Sequence, residues 1–138
     1  MLTLKNRRIE LIEDNPGNVA VIATILDLSG AKVGLAAWGA GTFTRLREFM
    51  PIDLILLDLM FPNGVTGFDI FDQIHAHTDL AEIPIAAISA MDPSVAVPRA
   101  RQKGFIGFIA KPVNFDLFPL QLEKLMNHEP IWQMQSRH

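Results

Sequence analysis

The sequence contains no cysteine, and that absence excludes a disulfide framework, a thiolate nucleophile and any Cys-ligated zinc or iron–sulfur centre. Long hydrophobic runs are missing too: nothing approaches the roughly 20 apolar residues of a membrane span. The polar start Lys5-Asn6-Arg7-Arg8 is not followed by a signal-peptide core. A cytoplasmic protein with no membrane partner is the expectation. Excess basic charge is also lacking. The formal charge is −3, so nothing draws the chain broadly to nucleic acid or an acidic bilayer. No glycine-rich loop runs into a Lys-Ser/Thr pair, and Gly39-Ala40-Gly41 lacks the dinucleotide spacing, which argues against a bound nucleotide. Internal repeats and low-complexity linkers are equally absent.

What the chain does have is apolar content for one packed core. Its 138 residues, 49% hydrophobic and 20% charged, fit a single compact domain. Short apolar runs alternate with segments of helical period. Residues 9–12 read as a strand that stops at Glu13-Asp14, 15–18 as a turn, and 19–29 as a helix. Residues 31–36, 52–58, 83–89 and 105–110 then read as strands, followed in turn by helices at 41–49, 67–77, 94–103 and 115–126. Strands that are apolar throughout, such as Ile55-Leu56-Leu57 and Ile85-Ala86-Ala87-Ile88, suit a parallel sheet buried on both faces. The expected fold is therefore α/β, a doubly wound five-stranded parallel sheet. Residues 1–126 form the domain, and 127–138 are a C-terminal tail too short for an output domain, with Trp132 as an anchor.

Two places conflict with this pattern. Glu10 puts a charge in a central strand, where burial without a partner is costly, and Arg7, Arg8 or Lys32 are the cations near enough in sequence to relieve it. Pro93 and Pro98 both fall in the fourth helix, which predicts a short, late-starting or kinked element. His75 and His77, two apart on a helix, point in different directions and are read as surface residues, and Trp38 and Trp132 form no stripe.

In an open parallel sheet, ligands bind at the carboxyl ends of the strands, near the reversal of strand order. Glu13 and Asp14 close the first strand, Asp58 the third, Ser89 the fourth and Lys111 the fifth. Acidic residues after a strand are often mere turn or capping residues, but an Asp closing a wholly apolar strand is less easily explained that way. Three neighbouring carboxylates call for a hard divalent cation with oxygen ligands, and Mg²⁺ is the natural choice. A carboxylate is also a nucleophile toward phosphorus. On that reading Asp58 attacks in line, Lys111 neutralises one phosphoryl oxygen and Ser89 hydrogen-bonds another.

The pieces Ile12-Glu13-Asp14-Asn15, Asp53 through Pro62, Ile88-Ser89-Ala90 and Phe108-Ile109-Ala110-Lys111-Pro112 together resemble the response-regulator receiver domain of two-component signalling, over residues 7 to about 126. The resemblance implies a flavodoxin-like (βα)5 domain of strand order 2-1-3-4-5, with Asp58 as phospho-acceptor. It implies Mg²⁺ held by Glu13, Asp14, Asp58 and the Met60 backbone carbonyl, phosphoryl contacts from Ser89 and Lys111, and a cis Lys111–Pro112 bond. It further implies a switch pairing Ser89 with Phe108, which alters the surface of the fourth helix, fifth strand and fifth helix. Phe108 has no phenolic hydroxyl, so an inward ring buries no polar group and is favoured even without phosphate. The implied partners are a histidine kinase or histidine phosphotransfer protein and a downstream protein target, with homodimerisation left open.

One departure from the family pattern is that Gly67 lies nine residues after Asp58 where eight is common, an inserted residue in the loop beyond Pro62. Met60 and Met91, beside the acceptor, offer nothing to orient water, so self-dephosphorylation is expected to be slow. The chain is then no enzyme beyond self-phosphoryl transfer and that slow hydrolysis. The alternative is a phosphorylation-independent pseudo-receiver serving as an interaction module. An aspartyl phosphatase would want an acid where Met60 stands.

Overall fold

A computed structural model describes residues 2–134. Strands and helices alternate as β1 (Arg8–Ile12), α1 (Pro16–Leu28), β2 (Lys32–Ala36), α2 (Thr42–Phe49), β3 (Leu54–Leu57), α3 (Gly67–His75), β4 (Ile85–Ser89), α4 (Pro93–Lys103), β5 (Gly107–Ala110), α5 (Phe118–Met126) and β6 (Ile131–Trp132). All strand pairs are parallel and the sheet order is β2-β1-β3-β4-β5-β6. The doubly wound α/β architecture and the order of its first five strands match the expectation. The sixth strand does not: two residues are too few to show a period, and they become a strand only because β5 has an edge to pair with.

Side chains alternate across the strands, so each strand feeds two cores. Ile12, Ile55, Leu57, Ile85 and Phe108 join Leu46 of α2, Phe68 and Phe71 of α3 and Ala96 of α4 on one face. Ile9, Leu11, Leu54, Leu56 and Ile109 meet Ile22 and Leu26 of α1 and Phe118 and Leu122 of α5 on the other. Burial on both faces is why β3, β4 and β5 carry no exposed residue.

Side-chain caps set the starts of α1, α3 and α4. α1 begins at Pro16 rather than near Val19, because Asn15 caps it by accepting the Asn18 N–H at 3.0 Å and proline tolerates the first helical position. α4 is neither short nor late. Asp92 caps it, Pro93 occupies the first turn, and the helix runs on through the exposed Pro98.

Glu10 is only 1% exposed, on the face covered by α2, and its Oε2 has no hydrogen-bond partner. None of the three cations expected to pair with it does so. Arg8 instead donates to the Pro51 and Phe49 carbonyls and lies over the Phe49 ring. Burial pushes the Glu10 carboxyl up to about 7, against the weaker opposing field of Arg45 on α2. Gly34 of β2 makes the room: a Cβ there would lie 2.2 Å from Glu10 Oε1.

Candidate functional site

The parallel register brings the strand ends together. Ile12 of β1 lies opposite Leu57 of β3, and Asp58 N–H donates to the Ile12 carbonyl at 3.2 Å, which sets Glu13 beside Asp58. Ser89 of β4 lies opposite Ala110 of β5, and Lys111 N–H donates to the Ser89 carbonyl at 2.9 Å. Local bonds then aim the side chains. Asp58 Oδ1 accepts the backbone N–H groups of Leu59 at 2.7 Å and Met60 at 3.2 Å, leaving Oδ2 turned to Lys111 Nζ at 3.1 Å. Lys111 also donates to Glu13 Oε1, whose other oxygen accepts the Asn15 N–H at 3.2 Å. Asp14 is fixed separately, accepting the Trp38 backbone N–H at 3.2 Å.

Glu13 and Asp58 are 4% and 5% exposed, so their charges would repel strongly without the ammonium between them. A hollow of about 420 Å³ opens above them, lined by Glu13, Asp14, Asn15, Asp58, Met60 and Lys111 among others. Hard oxygen donors suit Mg²⁺, and the carboxylates of Glu13, Asp14 and Asp58 all reach this hollow, so the donor chemistry fits. They are not drawn to a point, however: among the described residues no three acidic or histidine side chains form a cluster that could hold a metal. Lys111 takes that neutralising place.

Ser89 and Phe108 sit deeper. Ser89 is fully buried, its Oγ accepting the Met91 N–H at 3.2 Å, and it does not line the hollow. Phe108 is 0% exposed, in the core cluster under α3 and α4. Met60 lines the hollow, whereas Met91 packs against the core. The Lys111–Pro112 bond is cis, as is Met50–Pro51. The loop past Asp58 turns at Pro62–Gly64, where Asn63 and Gly64 take φ of 63° and 75°, and a bridge between Met60 and Thr66 closes it. Gly67 then returns against the acceptor: a Cβ there would lie 2.1 Å from the Asp58 carbonyl oxygen. The two amides on Asp58 Oδ1 have no signal in residue types, since they are backbone contacts, whereas the close approach at residue 67 is marked by its glycine. His75 stacks on Phe71 and His77 accompanies Phe43 and Arg47, all away from the site.

An acidic hollow at the carboxyl edge of a doubly wound sheet matches the receiver-domain arrangement expected from the sequence. The sequence matches the response regulator receiver domain family over residues 9–123, and the chain belongs to that family. The polar-differentiation response regulator DivK of Brucella ovis is 28% identical over 112 residues, which span 81% of this chain and 89% of the relative. The receiver domain of a sensor histidine kinase from Pseudomonas aeruginosa PAO1, solved with magnesium coordinated in its active-site cleft, is 28% identical with a TM-score of 0.73, covering 88% of this chain and 98% of that one. A response regulator structure from Chloroflexus aurantiacus shares the fold at a TM-score of 0.78 and 18% identity, over 89% of this chain and 99% of the other. Receiver domains are phospho-accepting switches that interact with histidine kinases or phosphotransfer proteins; they are not metabolic enzymes. No helix among the described residues is long and apolar enough to cross a membrane.

Proposed function

We propose that Asp58 accepts a phosphoryl group from a phosphohistidine of a kinase or phosphotransfer protein, in the cytoplasm, and that this chain passes the change to a protein target. The observation that carries the reading is the asymmetry of the Asp58 carboxylate. Oδ1 is tied by two backbone amides while Oδ2 faces the hollow and Lys111. In the transfer an Asp58 oxygen forms the new P–O bond as the P–N bond breaks, and the imidazole nitrogen leaves with the electron pair. Lys111 supports the charge on a phosphoryl oxygen, and Ser89, whose Oγ accepts the Met91 N–H and keeps its own O–H to donate, supplies a hydroxyl. Glu13, Asp14, Asp58 and the Met60 carbonyl would hold Mg²⁺, which when bound screens the charge on carboxylate and phosphoryl oxygens. Glu13 would contribute to that set the carboxylate that Lys111 bonds here. Met60, which lines the hollow, gives water no orienting group, consistent with a slow return to the unmodified state.

Incubation with Mg²⁺ and acetyl phosphate should add the mass of one phosphoryl group, stable in acid and labile in base, and the Asp58→Asn variant should add none. No gain in the wild type, or equal gain in the variant, would leave the phosphorylation-independent interaction module as the better reading.

A further inference from the structure

The edge of β5 is covered from within the chain. Ile131 and Trp132 pair in parallel with Gly107 and Phe108. Gln133 then makes two bonds beyond the ladder: its backbone N–H donates to the Phe108 carbonyl at 3.0 Å, and its side-chain Oε1 accepts the Ala110 N–H at 2.9 Å. Arg101 of α4 lies 5.3 Å from the centre of the Trp132 ring. Gly107 is shaped to this contact, since a Cβ there would lie 2.7 Å from the Ile131 carbonyl oxygen and 2.6 Å from Leu125 Cδ2. One short segment therefore ties α4, β5 and α5 together.

Its hold is nevertheless slight. The ladder is two residues long, Ile131, Trp132 and Gln133 are only half-buried, and Met134 is exposed. Segments with so few buried contacts open at a small fraction of the global unfolding free energy. The backbone groups it uses adjoin the site: Ala110 precedes Lys111 and lies opposite Ser89, and Phe108 is two residues earlier on the same strand. Any movement of Lys111 or Phe108 toward a modified Asp58 reaches the segment through those two bonds.

The geometry points to residues 129–134 as a built-in competitor for the β5 edge: an intramolecular strand that keeps a partner's extended segment from pairing there and lets go when Asp58 carries a phosphoryl group. The release half of this statement rests on the function proposed above. The partner is defined by the contacts it must reproduce. It is an extended stretch pairing parallel to Gly107–Ala110, with a bulky apolar or aromatic residue where Trp132 sits and a side-chain oxygen for the Ala110 N–H.

A fluorescently labelled peptide of residues 128–134 tests both halves. It should bind the double variant Trp132→Ala/Gln133→Ala at least about tenfold tighter than the wild type, because the variant's own strand competes poorly. Adding Mg²⁺ and beryllofluoride, a mimic of the aspartyl phosphate, should tighten wild-type binding in the same way and speed hydrogen exchange at the Ala110 amide. Equal peptide affinity for a folded variant and the wild type would overturn the idea that this edge accepts a strand. Beryllofluoride bound at Asp58 by fluorine NMR, with the Ala110 amide as protected as before, would overturn the release. Failure of beryllofluoride to bind counts against phosphorylation itself, and the variant comparison still decides the edge.

Discussion

Replacing Glu10 with Gln should remove a pH dependence that one buried carboxyl imposes on the whole fold. The folded-state value of about 7 lies above the ordinary 4.5 because burial opposes the charge. A raised carboxyl value means the folded chain holds a proton that the unfolded chain gives up. The contribution is fully present below about 4.5 and is lost as pH rises through about 7. A move from 4.5 to about 7 is worth at most about 3 kcal/mol. Glu10 borders a side hollow that it shares with Gly34, Arg45 and Glu48, so solvent screening discounts that figure and on the order of 2 kcal/mol should remain. Gln keeps the shape and cannot ionise. Urea unfolding of both proteins in metal-free buffer, followed by far-UV circular dichroism, should show the variant gaining that amount over the wild type between about pH 5 and about pH 8. A difference between the two proteins that does not change with pH would refute the argument.

Two further changes test the site. Gly67→Ala should cost on the order of 2–3 kcal/mol and slow phosphorylation, because the new methyl meets the Asp58 and Leu59 backbone, which cannot yield as a side chain would. Gly39→Ala, with nothing within 4 Å, is the control and should be nearly silent in the same denaturation assay. Lys111→Ala leaves Glu13 and Asp58 buried with no cation between them. It should lower stability in chelator by on the order of 3 kcal/mol and make added Mg²⁺ more stabilising than in the wild type, as thermal melts with and without the metal would show. Identical melts of variant and wild type in chelator would remove Lys111 from that role.

Much of the fold was legible because the pattern repeats. β1, β3, β4 and β5 were each marked by an apolar run closed by a polar residue, and the helix starts that moved did so by about three residues or fewer: Asn15 and Asp92 cap α1 and α4 with Pro16 and Pro93 in the first turn, while α5 opens at Phe118 instead of residue 115. Glu10 was legible as a conflict but its outcome was not. Charge neighbours in sequence suggested Arg7, Arg8 or Lys32, yet Arg8 is drawn off to the Phe49 and Pro51 carbonyls, and the space that admits the carboxylate comes from Gly34 on the next strand.

The sequence by itself determined the alternation of strand and helix, and placed Glu13, Asp14, Asp58, Ser89 and Lys111 at strand ends. Period and residue chemistry are local properties, readable without coordinates. Only the tertiary structure decided how those groups divide: Lys111 bridging Glu13 and Asp58, Asp14 held by the Trp38 amide, and Ser89 and Phe108 set below the hollow instead of in its wall. It also turned residues 131–132 into a strand. Those outcomes rest on strand register and on backbone groups that every residue type carries, so no reading of side chains along the chain fixes them in advance.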